Sequence, residues 1–231
     1  MTYWEEIELR ATTYIKNDIS LDRDKAERLP VFFNRMAAYM TEAIVIFDRP
    51  PEMLAKLGNY TAPRYDSMTY TLEETSTGDI DIVTEEMYNA DVVSVAVLGT
   101  DDYGDPTYTP VEKFSYYPSG FITVYGADGQ YQAGTQFLID FYWRGSFAAD
   151  LNATEQGILA FAIYNRYEHR FDNDVLERQS KIRDSAFTTI SEASQTQAGT
   201  ARQREVDSQL FGMMRAYQDN CEYLRLLNGG V

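Results

Sequence analysis

The apolar positions of the chain change period twice. From Tyr3 to about Asn17, Trp4, Ile7, Ala11, Tyr14 and Ile15 recur at helical spacing, which predicts a first helix with Glu5, Glu6 and Glu8 outward. Ser20 can cap a short helix over about 21–28. Pro30 suits the first turn of the next, since its missing N–H would have no intrahelical partner there. That helix, about 30–47, stacks Phe33, Met36, Met40, Ala43, Ile44 and Phe47 on one face. "PEMLAKLG" reads as a fourth segment closing on Gly58.

From about Asp66 the period shortens to two. "SMTYTLEE", "DIDIVTEEMY", "DVVSVAVLG", "FITVYG" and "QFLIDFYWRG" read as strands. "ADGQ", between "FITVY" and "YQAGTQFLIDFYW", predicts a hairpin, because Asp-Gly takes positive φ readily. In the final strand Phe137, Ile139 and Phe141 form an inward face, and Leu138, Asp140 and Tyr142 a mixed outward one.

Helical spacing returns at Ala153, with Asn152 or Thr154 as N-cap and Ile158, Phe161, Ala162 and Tyr164 or Ile163 as the buried stripe. "DND" interrupts it at 172–174. Residues 185–200, small and polar, read as a linker that lets an arm reach away. Beyond them Val206, Leu210, Met213, Tyr217, Cys221 and Leu224 make an apolar stripe, and residues 201–228 as one helix would run about 42 Å. The expected class is α+β: a helical body with an inserted antiparallel β meander and a long C-terminal helical arm. Its parts are N-terminal helices 1–60, a β-rich insert 61–150, a closing body helix 151–175 and a C-terminal extension 176–231.

Composition and charge refine this picture. A hydrophobic content of 44% over 231 residues supports a sizeable core. Cys221 is alone, so neither a disulfide framework nor a cysteine zinc site is expected. No apolar run approaches the ~20 residues of a membrane span. The acidic, amphipathic N-terminus is unlike a secretory signal and the cysteine is single, so a soluble protein made in a reducing compartment is expected. The net charge of −16 lies in residues 1–175, with 13 basic and 29 acidic residues, while 176–231 holds seven of each. Such a body has no electrostatic grip on phosphate.

Candidate chemistry is sparse. Glu73–Glu74, Asp79–Asp81, Glu85–Glu86 and Asp101–Asp102 could supply an acid/base pair, although no flanking signature selects one of them. "DDYGDP" lacks the ligand alternation and distal glutamate of a calcium loop and reads as a turn. His169 has no nucleophile partner in a recognisable motif, and no catalytic residue, cofactor or metal is expected. The 18 tyrosines suit strand cores, or a face that binds a glycan or a protein.

Three stretches, in this order, resemble the head–tail connector (head-completion, adaptor) proteins of tailed bacteriophages. "YWEEIELRATTYIKNDISLDRDKAERLPVFFNRMAAYMTEAIVIFD" is similar to their opening helices. "VVSVAVLGTDDYGDPTYTPVEKFSYYPSGFITVYG" followed by "GTQFLIDFYWRG" resembles their meander. "ATEQGILAFAIYNRYEHR" looks like the helix that follows, closing on Tyr167, Glu168 and Arg170. The resemblance implies a structural virion protein at the portal–tail junction, forming a twelvefold ring with the DNA channel through it. Its partners would be itself, the portal protein and tail or further neck proteins, with DNA passing unbound and no membrane. Tyr167, Glu168 and Arg170 would make a polar contact at a subunit or domain boundary. The arm residues Val206, Leu210, Met213, Tyr217 and Leu224 would need an external groove, that of the portal. The alternatives are a tyrosine-rich β module binding a glycan or protein ligand and, more remotely, a carboxylate-dependent hydrolase.

Overall fold

The structure, a computed structural model, describes residues 1–15, 18–47, 50–127, 129–181 and 189–227. The chain is α+β, with six helices and ten strands among the described residues. It divides into a helical unit (Met1–Asp18, Arg35–Thr61 and Ser146–Val231) and a β unit (Ile19–Asn34 and Ala62–Gly145). Residues 19–34 thus belong with the β insert rather than with the other N-terminal helices.

The helical unit begins with β1 (Thr2–Tyr3) and α1 (Trp4–Ala11). The first helix stops well before Asn17, because the hydroxyls of Thr12 and Thr13 bond back to the carbonyls of Leu9 and Arg10. Its buried face is Trp4, Ile7, Glu8 and Ala11. Glu8 is therefore not outward. It occupies the i+4 position of the apolar stripe and is 0% exposed, and neither carboxylate oxygen has a hydrogen-bond partner among the described residues. Burial, and then the nearby Glu5 charge, push its carboxyl well above the usual range. A small sheet orders β1, β10 (Ser146–Phe147) and β2 (Tyr60–Thr61), and Trp4 packs on Tyr60 and Phe147 with ring centroids 5.4 and 5.8 Å apart. The remaining helices are α3 (Leu29–Ile46, of which Arg35 onward lies in this unit), α4 (Pro51–Leu57), α5 (Ala153–Lys181) and α6 (Thr189–Leu227).

The β unit contains α2 (Ile19–Glu27), the start of α3 and two antiparallel sheets. One orders β3 (Arg64–Thr71), β9 (Gln136–Trp143), β5 (Val92–Thr100) and β6 (Pro106–Pro110). The other orders β4 (Ile80–Val83), β8 (Phe121–Val124) and β7 (Phe114–Tyr117). Both sheets feed one core, in which Ile80, Ile82, Ile122 and Val124 from the smaller join Val95, Phe137, Ile139 and Phe141 from the larger.

Two expectations fail here. Leu138, Asp140 and Tyr142 do not face outward; β9 is central and buried on both faces. Arg28 grips Asp140 with both ends of its guanidinium (Nε to Oδ2 3.0 Å), and Phe33 packs on Tyr142 at 6.3 Å. Nor do "FITVY" and the last strand form a hairpin, because β8 pairs with β4 and β7 while β9 pairs with β3 and β5. Gly129, at φ 71°, bends a connection between sheets, and the Asp128 of that expected turn lies outside the described residues. A turn that requires glycine is instead at Gly120, between β7 and β8. Its φ is 80°, and a Cβ there would lie 1.9 Å from the carbonyl oxygen of Thr84.

The edges of the larger sheet are blunted. The bond from Val111 N–H to the Val95 carbonyl makes 106, 108 and 110 the outward-facing backbone positions of β6, and two of these are prolines without an N–H. On β3, the outward N–H of Ser67 is taken by the Asp66 carboxylate at 2.9 Å.

The state of Glu8 generates a prediction. A carboxyl whose folded pKa is raised makes the folded state hold the proton longer, so stability falls as pH rises from the ordinary carboxyl range toward the folded value. Glu8→Gln should stabilise the protein at pH ~8 by on the order of 1 kcal/mol or more, and by progressively less toward pH ~4. Urea midpoints measured across that range check it, and a pH-independent difference would sink it.

Candidate functional site

The residues singled out in the sequence meet along α5 and α6. Helix α5 starts at a reciprocal cap. The Asn152 side-chain oxygen accepts the N–H groups of Thr154 (3.0 Å) and Glu155 (2.9 Å), and Glu155 Oε2 accepts the Asn152 N–H at 2.7 Å. Asn152, not Thr154, is the N-cap. The other Glu155 oxygen receives Lys56 Nζ of α4 at 2.6 Å and the hydroxyl of Tyr217 of α6. Glu155 is fully buried. Burial opposes its ionisation, yet the bonds from Lys56, Tyr217 and the Asn152 N–H outweigh that and hold its carboxyl below the usual range. The same bond, with burial, pushes the Tyr217 phenol far up, so that it stays a donor.

Three turns along, consecutive side chains of "YNRYEHR" reach different elements. Tyr167 donates its hydroxyl to Asp18 Oδ2 at 2.8 Å, and burial followed by that carboxylate raises its phenol strongly. Glu168, 3% exposed, receives Arg202 of α6 at 2.7 Å, and its second oxygen is buried without a partner among the described residues. Arg170 pairs with Glu42 of α3 at 2.9 Å and lies 5.4 Å over the Tyr39 ring. Asn165 and His169 both meet Asp207 Oδ1 of α6, at 2.7 and 2.9 Å. Burial would raise Asp207, but these two bonds prevail and lower it. Tyr167, Glu168 and Arg170 are thus brought together as contacts inside the helical unit, each to its own neighbour.

The arm is placed differently from the expectation. α6 runs unbroken from Thr189, so residues 189–200 are helix rather than linker, and 185–188 lie outside the described residues. The polar pairs fix α6 antiparallel to α5, with Arg202 at Glu168, Asp207 at Asn165 and Tyr217 at Glu155. Val206 and Leu210 are buried within their own chain, joined by Met214 where Met213 was expected; Met213 and Tyr217 are half-buried. Their apolar face is already covered, and no external groove is needed to hide it. Of the five anchors only Leu224 is exposed, at 49%, near Tyr223, Leu226 and Leu227 on the last turn, which Arg225 ties to Glu52 of α4. Cys221 is half-buried beside Tyr217.

The spacing of apolar residues disclosed neither Lys56 nor Asp207, because both act through partners distant in the chain. "NATE" did carry a readable signal, that of an N-cap with an acid three residues on. At Asp101 the carboxylate accepts the N–H groups of Tyr103 (2.9 Å) and Asp105 (2.8 Å), which builds a turn. Among the described residues no group of three or more His, Cys, Asp or Glu could hold a metal ion, and no helix is long and apolar enough to cross a membrane.

The seam can be tested through Glu168. Arg202→Ala leaves that carboxylate buried with no cation and should cost about 2–3 kcal/mol. Adding Glu168→Gln removes the stranded charge and should restore more than half of the loss. Urea unfolding of the two variants checks this, and a double variant no more stable than the single would remove the ion pair from the account. Compared with family models, curated proteins and solved structures, the chain finds no match.

Proposed function

We propose that this chain is a structural virion protein, one subunit of a ring that joins a portal vertex to a tail and lines the channel through which DNA passes. The observation that carries the reading is where the charge lies. Residues 62–145 of the β unit hold fourteen acidic side chains and only Arg64, Lys113 and Arg144 as basic ones, a balance of −11 out of the chain's −16. A wall of that sign repels phosphate, so DNA slides past without adhesion. The helical unit supplies the complementary property, a body held by polar pairs at defined positions, suited to a repeating subunit.

The same geometry moves the attachment point. With Val206, Leu210 and Tyr217 engaged inside the chain, the portal-facing anchors become the exposed end of α6: Tyr223, Leu224, Leu226 and Leu227. An amphipathic helix end set into a partner's groove is an ordinary recognition mode.

Native mass spectrometry of the protein alone and mixed with portal rings tests this. The expected outcome is a stoichiometric ring, alone or on the portal, and at least ~10-fold weaker attachment for Leu224→Asp/Leu227→Asp, which alters exposed positions only. A protein that stays monomeric and ignores portal rings would remove the connector reading.

A further inference from the structure

The smaller sheet of the β unit has one face in the core and one outside. Ile80, Ile82, Ile122 and Val124 fill the inner face. The outer face is set by strand register and forms rows. Val83, Phe121 and Tyr117 are direct cross-strand neighbours, and so are Asp81, Thr123 and Ser115 in the next row. A third row follows, in which the Tyr125 N–H bonds the Lys113 carbonyl, with Asp79 beside it accepting the Gly126 N–H.

The first row is apolar and open. Val83 is 72% and Tyr117 50% exposed, and the Tyr117 and Phe121 rings lie 5.7 Å apart. The second row is hydroxyl and carboxylate, held in place by Thr123 Oγ1 donating to Asp81 Oδ1 at 2.9 Å and by Ser115 Oγ and the Tyr125 hydroxyl at 2.8 Å. The aromatic row ends on the Gly120 turn, whose backbone is pressed against Thr84, so the platform is built on a fixed corner.

Size selects the occupant. Three strands ~4.8 Å apart and three rows ~6.8 Å apart make a platform of about 10 by 14 Å. That is on the order of 140 Å², against the ~800 Å² per partner that a stable protein interface buries. The patch is the size of one or two six-membered rings. Chemistry narrows the choice, because a ligand that lays an apolar face on Tyr117 and Phe121 and turns hydroxyls to Asp81, Thr123 and Ser115 is a sugar. Charge narrows it again. Asp81 stands in the second row and Asp79 in the third, where Lys113 is the cation among the described residues, and the β unit is strongly acidic, so uronates, sialic acids and sugar phosphates are repelled.

The geometry points to a binding site for a neutral saccharide of one or two rings on the outer face of β4, β8 and β7, with Tyr117 and Phe121 as its apolar floor and Asp81 and Thr123 as its polar edge. This goes beyond the ring reading and does not depend on it.

Ligand-observed saturation-transfer NMR on the full chain tests it, using a panel of neutral hexoses, N-acetylhexosamines and their disaccharides alongside glucuronic acid and glucose 6-phosphate, each at about 10 mM, in the range where so small a contact binds. At least one neutral sugar should give transfer and the acidic ones none. Tyr117→Ala and Asp81→Ala should each weaken binding by at least ~10-fold with an unchanged melting temperature, since both side chains are exposed. Tyr103→Ala, at a tyrosine 93% exposed on another loop, should bind as the parent does. The site is overturned if no neutral sugar binds, if binding survives Tyr117→Ala, or if light scattering shows that Tyr117→Ala abolishes self-association instead, which would make the face a contact between copies.

Discussion

The helical unit depends on one buried carboxylate. Glu155 closes the cap of α5, takes the ammonium of Lys56 from α4 and takes the phenol of Tyr217 from α6. A carboxylate in that position would be expensive if unpaired, and with donors from three sides it becomes the point that fixes three helices together. The other polar pairs of the unit repeat this on a smaller scale. Asp207 collects Asn165 and His169, and Glu168 collects Arg202, so α6 is registered against α5 at intervals along their shared length. Apolar burial of Val206, Leu210 and Met214 supplies adhesion; the carboxylates decide the register.

The β unit follows the same rule with a polar clamp of its own. Its central strand β9 is buried on both faces, which would be costly at Asp140 but for the two-pronged grip of Arg28. Residues 19–34 therefore cover that face of the larger sheet with Arg28 and Phe33. The other face meets the smaller sheet in the shared core, and the smaller sheet's outer face keeps the rows that carry Tyr117 and Phe121.

What could be read in the sequence was whatever depended on neighbours in the chain. The stripe of α3, the β9 strand itself and the N-cap before α5 are local patterns, and each appears where the spacing put it. Glu8 shows the limit of a polarity rule. Its position in the stripe Trp4, Ile7, Ala11 points inward, and there the helical period outweighs the charge. Leu138, Asp140 and Tyr142 were misplaced because alternation shows two faces but not whether a distant segment covers the second. The expected hairpin before β9 failed for a similar reason, since a turn signal says nothing about which sheet each flanking strand joins. The α6 stripe was legible as a stripe, but what covers it was not. The polar pairs that hold it to α5 join residues 34 to 62 apart in sequence, beyond the reach of any periodic argument.

One electrostatic field underlies both proposals and also separates them. The surplus of carboxylates on the β unit disfavours every polyanion alike, so a DNA strand in a channel and an acidic sugar at the platform meet the same repulsion. At an ionic strength of about 0.15 M that field decays within roughly 8 Å. It therefore governs what approaches the surface without deciding what stays. Retention needs short-range complementarity, and the outer rows of β4, β8 and β7 provide it for a small neutral ring through an apolar floor and fixed hydroxyls. In the proposed channel a duplex would gain no such contact from residues 62–145, where Arg64, Lys113 and Arg144 stand against fourteen acidic side chains. Acidity that would keep a polymer moving and a platform that would hold a neutral ligand are thus compatible on one unit, because repulsion acts on charge and the platform acts on shape.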